Sequence, residues 1–267
     1  MDFFYTRFMK GLQLDQLQSA ELDQAKRLVA PLSERYHPPV IFCSYLPKVA
    51  STYLFAVLKE LTKFDYRDIS WGYNQNEQNI VFNNVMNYVH ESYLTKLMCK
   101  ATQSNLDVMH IMAFKPLIIT RPISDILVSL NDHFEQESFA WPHIYLKKEF
   151  LSFSDEKRID LLIDHFTPWM IDYLNSWLDA EKTLDHLLWI TYDDITKNLK
   201  KTLLLIQDFY QLKFDLSRLA SIQKKVKTKK NRFNKGITGR GQTILTAKQH
   251  KRLASFFRHH PHLKKYI

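Results

Sequence analysis

The sequence is short of what many protein classes require. Five glycines and nine prolines in 267 residues exclude a repeat, collagen-like or low-complexity chain. No apolar run approaches the roughly 20 residues that span a bilayer, so no transmembrane segment is expected. The opening stretch MDFFYTRFMKGLQ has an early acid, Asp2, and lacks the apolar core of a signal peptide. A cytoplasmic location follows as the expectation. There are two cysteines, Cys43 and Cys99, each inside an apolar run, which predicts buried thiols in a reducing compartment rather than a disulfide or a metal pair. No cluster of His, Cys, Asp and Glu has metal-ligand spacing, so no metal is expected. Acids are missing altogether from one long stretch, residues 216–267.

That last absence sets the charge pattern. Residues 1–215 hold 22 basic and 28 acidic residues, a net of −6, and residues 216–267 hold 15 basic ones, so the whole chain reaches +9. A segment of this kind faces a polyanion: nucleic acid, an anionic membrane surface or a phosphorylated small molecule. Phe233, Ile237, Ile244, Leu245, Phe256 and Phe257 are woven through it, which argues against a plain solvated tail. His259, His260 and His262 are read as part of a basic terminal tail.

The rest of the chain alternates between two periods. Residues 13–33 have apolar residues at helical spacing, which predicts a helical N-terminal extension over 1–37. Pro38 and Pro39 break the chain, and Val40–Tyr45 is a short apolar run suited to a buried parallel strand. A loop follows, then a helix from Ser51. Asn105–Met112 is a helix expectation, Lys115–Thr120 a strand, and Pro122 to about Glu135 a helix with proline in its first turn. Two helices are expected over 155–166 and 168–181, and a strand over His186–Tyr192. A helix capped by Asp193 or Asp194 is then expected to reach Tyr210. Residues 71–104 carry no clear period, and 226–245 is expected to be an extended basic loop containing glycine. Alternating strands and helices predict one α/β domain over 1–267, P-loop-like, with a central parallel sheet flanked by helices on both faces.

Four stretches carry chemistry. Tyr45–Leu54 (YLPKVASTYL) joins the first strand to its helix, where unpaired N–H groups attract anions and Lys48, Ser51 and Thr52 add donors. It lacks both glycines of the Walker A pattern, which counts against an NTPase or P-loop kinase. A capped helix with a solvated lysine is the plain alternative. Arg121–Leu130 (RPISDILVSL) leaves the end of a strand, where open α/β sheets place ligands. Ser129 lies about two turns beyond Arg121, so a guanidinium fork and a hydroxyl point at one phosphate; an Arg121–Asp125 pair is the plain alternative. Ile190–Asn198 (ITYDDITKN) offers Tyr192 at a strand end. Arg232–Gly241 (RFNKGITGRG) gathers three of the five glycines with Lys235 and Arg240 beside them, the composition of an anion nest.

In this order and spacing the four stretches resemble the PAPS-dependent sulfotransferase family, where PAPS is 3′-phosphoadenosine-5′-phosphosulfate and PAP its product. The resemblance runs from about residue 38 to 253. It is nearest to a bacterial-type branch with FNKGxxGRG in the last motif, here residues 233–241, and SLxDH at 129–133. The resemblance implies that Lys48, Ala50, Ser51 and Thr52 hold the 5′-phosphosulfate. It implies that Arg121, Ser129, Phe233, Asn234, Lys235 and Gly236 surround the 3′-phosphate, and that Tyr53 and Tyr192 lie near the adenine. Three departures stand out. Asn234 replaces the commoner Arg, Val49 and Ala50 replace a Ser-Gly pair, and the usual catalytic His position falls on Met98 or Cys99.

The expected reaction is in-line transfer of a sulfuryl group to a hydroxyl or amine, with catalysis by positioning and charge. Lys48 is expected to stabilise the leaving oxygen. His133, four residues after Ser129, is the candidate base, with Glu77, His90, Glu91 and His110 behind it. The expected partner is a small-molecule or glycan acceptor, its pocket lined partly by 71–100 and 131–150, and no nucleic acid is expected. Two alternatives accompany this reading. One is a PAP-binding or PAPS-binding relative that has lost turnover, and the other is a nucleic-acid-binding protein using residues 224–252.

Overall fold

A computed structural model describes residues 38–72, 78–137, 146–228 and 236–267. The helix expected over 13–33 lies outside these residues. Val40–Tyr45 (β1) is central because it is apolar on both faces: Ile41, Phe42 and Cys43 are fully buried, as a strand covered on two sides requires. The chain continues through Ser51–Thr62 (α1), Asp65–Tyr66 (β2), Phe82–Met86 (α2), Tyr93–Leu97 (β3), Gln103–Ile111 (α3) and Pro116–Thr120 (β4). Then come Ile123–Gln136 (α4), Asp155–Ala180 (α5), Leu188–Thr191 (β5), Tyr192–Lys197 (α6) and Leu199–Phe209 (α7). Leu219–Thr228 (α8), Arg240–Ile244 (α9) and Ala247–Phe256 (α10) complete the described elements.

The five strands form one parallel sheet in the order β2-β3-β1-β4-β5. The chain leaves β1 toward β2 and β3 on one side, then crosses to β4 and β5 on the other. The loops after β1 and β4 therefore part from each other, and that crevice is where such sheets bind ligands. The sheet and its helices are the single α/β domain the alternating pattern predicts.

Several buried polar groups around the sheet are paired, although the Thr95 and Thr167 hydroxyls have no hydrogen-bond partner among the described residues. Ser44 Oγ donates to Cys99 O (2.8 Å) and meets Tyr173 Oη at 2.9 Å, and Trp177 Nε1 donates to Cys99 O at 3.0 Å. Tyr210 Oη lies within hydrogen-bond distance of Phe42 O (2.9 Å) and Lys115 O (2.7 Å), joining the entries of β1 and β4. Cys43 and Cys99 are both buried and form no disulfide, as expected.

Several local expectations change. One helix, α5, replaces the two expected over 155–181 and carries Pro168 inside it. Apolar residues on both sides of the proline, Ile163, Phe166, Met170 and Tyr173, are fully buried and keep the helix continuous. Thr191, not Asp193 or Asp194, caps α6; its hydroxyl accepts from the Asp194 N–H while Asp194 bonds back to the Thr191 N–H, a capping box. The helix expected to reach Tyr210 is two helices meeting at Asn198. Strand β3 lies in the stretch without period. Within 226–245, residues 226–228 end α8 and Arg240–Ile244 is helical, so these parts are not the expected loop, and residues 229–235 lie outside the described residues. The C-terminus is not a free tail: Phe257 and Leu263 are fully buried, and Asn175 bonds both His260 and His262.

Candidate functional site

After β1 the chain turns through two left-handed residues, Lys48 (φ 58°) and Ala50 (φ 63°). Ala50 is the N-cap of α1, with no side-chain cap and no acid in the first turn. The first N–H groups and the positive end of the helix are thus left to whatever anion comes near. Ser51 is buried under the turn and Thr52 is exposed at its rim. A residue the sequence reading missed joins them: Lys96, at the end of β3, donates Nζ to Thr52 Oγ1 at 3.2 Å. Its ammonium lies 5.5 Å from the Tyr45 ring and 5.8 Å from the Phe55 ring. A single cation within the YLTKL segment was its only signal.

Arg121 follows β4 and reaches across the crevice. Its Nη1 donates to Lys48 O at 3.0 Å and its Nη2 to Ile237 O at 2.8 Å, so one guanidinium ties the loop after β1 to the glycine loop. Nη2 also meets Asp125 Oδ2 at 3.4 Å, and the guanidinium lies 3.9 Å from the centre of the Tyr192 ring. Arg121 is 5% exposed, and its Nε, buried, has no hydrogen-bond partner among the described residues. Burial pulls its pKa down against the opposing pull of Tyr192 and Asp125, yet an arginine remains charged. Burial likewise raises the Tyr192 phenol, while Arg121 acts in the opposite direction.

The glycine loop differs from an open nest. The N–H groups of Gly239 and Gly241 donate to the two oxygens of Asp125 at 2.9 and 2.7 Å, so a carboxylate of the chain itself fills that concavity. Asp125 is 1% exposed. Arg240 pairs with Asp132 at 2.6 Å, and Thr238 hydrogen-bonds Asp193. Three links therefore hold residues 238–241 against α4 and α6. Gly236 is left-handed (φ 69°) at the start of this stretch. Phe233, Asn234 and Lys235 lie outside the described residues.

From Arg121, just before α4, to Glu137, its C-cap, the residues of interest fall four apart: Arg121, Asp125, Ser129, His133 and Glu137. That spacing makes one stripe. Ser129 and His133 are both buried. At the far end of the stripe, His133 Nδ1 meets Glu137 Oε2 at 3.0 Å, and Glu137 Oε1 lies 3.9 Å from Lys48 Nζ. Lys48 thus touches Arg121 through its carbonyl and faces Glu137 through its ammonium. Tyr53, in the first turn of α1, accepts from Gln223 Nε2 at 3.2 Å, which joins that helix to α8.

The other candidate bases sit elsewhere. His90 and Glu91 precede β3 and His110 ends α3 just before β4, so all three are at the opposite end of a parallel sheet from the crevice. Glu91 is bound to Arg67 at 2.8 Å. Glu77 lies outside the described residues. Met98 and Cys99 are 1% and 0% exposed, buried apolar groups without the character of a base. Of the basic segment, Lys225 pairs with Glu60 at 2.7 Å and Arg252 with Asp164, so part of its charge is turned inward. Among the described residues no cluster of ligand side chains is suited to a metal ion, and no helix is long and apolar enough to cross a membrane.

Comparison with known proteins gives two positive findings. A family model described as the sulfotransferase domain matches residues 63–265. The fold is similar to that of the mouse sulfotransferase SULT7A1, solved in complex with PAP, with a TM-score of 0.63 and 17% identity over 90% of this chain and 93% of that one. No curated protein matches.

Proposed function

The chain belongs to the sulfotransferase domain family, and from that footing we propose that it transfers the sulfuryl group of PAPS to a hydroxyl or amine acceptor and releases PAP. The observation that carries the reading is Arg121: a buried cation at the switch point of the sheet, with one N–H left without an acceptor. A buried donor left unpaired costs about 1–3 kcal/mol, and an incoming phosphate relieves it. The uncapped start of α1 fits a second anion. PAPS presents two anionic ends, and PAP is the molecule held by the solved relative.

In this reading PAPS supplies the sulfuryl group for in-line displacement. Lys48, Ala50, Ser51 and Thr52 hold the 5′-phosphosulfate, with Lys96 beside them. Arg121, Ser129, Phe233, Asn234, Lys235 and Gly236 surround the 3′-phosphate, while Tyr53 and Tyr192 border the adenine. Lys48 and His133 form the reacting end. No metal enters. The protein acts in the cytoplasm on a small-molecule or glycan acceptor. Its domain spans 1–267 with a helical extension at 1–37, and it falls in the branch marked by residues 233–241.

Titration calorimetry with PAP tests this, using ADP, which lacks the 3′-phosphate, as control. PAP binds the wild type far more tightly than ADP does. Arg121→Ala and Lys235→Ala each lose about 1.5–3 kcal/mol of PAP binding, or about 10- to 150-fold, as expected for a charge-assisted contact. ADP binding changes little. Equal affinity for PAP and ADP overturns the reading and makes nucleic acid the next ligand to try.

A further inference from the structure

The reacting end contains a carboxylate that the sequence reading did not single out. Resting on the sulfotransferase reading above, we propose that Glu137 is the group that takes the acceptor's proton, with His133 as its positioning residue.

The geometry divides the work between them. His133 is 1% exposed and buried within α4, so its ring has almost no surface to offer an acceptor. The Glu137 side chain is 31% exposed, at the end of the same helix. Its two oxygens have different neighbours: Oε2 is 3.0 Å from His133 Nδ1, and Oε1 is 3.9 Å from Lys48 Nζ. A ring N–H donated to one carboxylate oxygen fixes the direction in which the other points. That other oxygen faces the lysine expected beside the leaving group. A base must stand within reach of the acceptor while the charge-stabilising cation reaches the leaving oxygen. Glu137 has the surface to meet an acceptor, and the Lys48 side chain beside it, 9% exposed, is the cation turned inward.

The step balances without any further reactant. The acceptor oxygen bonds to sulfur as the bond from sulfur to the 5′-phosphate oxygen breaks. The acceptor's proton passes to Glu137 Oε1, and the electron pair of the broken bond leaves with PAP, facing Lys48. Before the donor binds, Lys48 leans toward Glu137. A phosphosulfate drawing the ammonium away frees the carboxylate to accept.

The test uses the full chain and water as the acceptor, measuring PAPS hydrolysis in single turnover beside PAP binding by calorimetry. Glu137→Gln and Glu137→Ala are expected to slow hydrolysis by about 10²–10⁴-fold, the usual contribution of a base, with PAP affinity undiminished. Added formate restores turnover to Glu137→Ala but not to Glu137→Gln, a rescue that a purely structural role does not give. His133→Asn, which keeps an N–H near the Nδ1 position, retains most of the rate, whereas His133→Phe loses it. In the unliganded protein, long-range proton–nitrogen NMR at alkaline pH places the ring hydrogen of His133 on Nδ1, and Glu137→Ala removes that preference. Glu137→Gln turning over at the wild-type rate, formate without effect, or a wild type that binds PAP yet leaves PAPS unhydrolysed each overturns the assignment. Loss of PAP binding in the wild type itself is a different failure, that of the sulfotransferase reading.

Discussion

Ala50 stands at φ 63°, a conformation that costs an L-residue about 1–2 kcal/mol and a glycine almost nothing. Ala50→Gly is therefore expected to stabilise the protein by about 1 kcal/mol, less than the full strain because glycine also loosens the unfolded chain. Thermal unfolding checks it, with a rise of about 2–4 °C for a domain of this size; an unchanged or lower Tm means the turn is not strained. The resemblance had marked this position as a departure, and the backbone gives that departure its physical meaning. Arg121 was legible because it ends an apolar strand and precedes a proline helix, both local signals. Lys96 and Glu137 were not. Each is one charged residue in a stretch without a distinguishing pattern, and each matters only because a distant segment, residues 45–55, is folded against it. No spacing along the chain announces such a meeting.

Helices and strands followed local pattern wherever packing agreed with it. The core strands β1 and β4 are unbroken apolar runs and were readable as such. Strand β3 was not, because Thr95 and Lys96 interrupt it, and its pairing with β1 rather than its own composition makes it a strand. Pro168 is the reverse case, a strong local stop overruled by the apolar face of α5. The short helix α9 depends on one absent side chain. A Cβ on Gly241 lies 2.5 Å from the Ser124 backbone carbon, Cβ and Oγ, so the two helices touch only because the residue is glycine. Gly241→Ala is expected to cost about 1–3 kcal/mol, the range of an overpacked interface. It also pulls the Gly239 and Gly241 N–H groups from Asp125. Chemical denaturation reads the first effect. Calorimetry with PAP reads the second as weakened binding, because Arg121 holds Ile237 in the same loop. A variant as stable as the wild type shows that α9 is free to shift.

At the scale of the whole molecule, stability at high pH is set by buried phenols. Burial raises the Tyr173 and Tyr210 hydroxyls well above their usual value, with hydrogen bonds to Ser44 and Phe42 only partly opposing it. A group whose folded pKa is raised contributes stability that is complete below the unfolded pKa, about 10 for tyrosine, and that is lost as pH climbs toward the folded value. Folding is therefore expected to weaken from about pH 10 upward. Tyrosinate absorbance should rise in two phases, exposed phenols first and the buried ones together with loss of circular dichroism. Ionisation of every tyrosine before any unfolding would contradict the buried hydroxyl network. The order of the strands has a consequence for how the protein is made. β1 has β3 on one side and β4 on the other, and β4 is synthesised after β3. As the chain leaves the ribosome, one flank of β1 stays bare until Thr120 has emerged, on the order of seconds at about 5–20 residues per second. An open apolar strand edge is a template for the wrong partner. Chaperone demand during translation, and the insolubility of fragments that stop short of residue 120, should both trace to that interval.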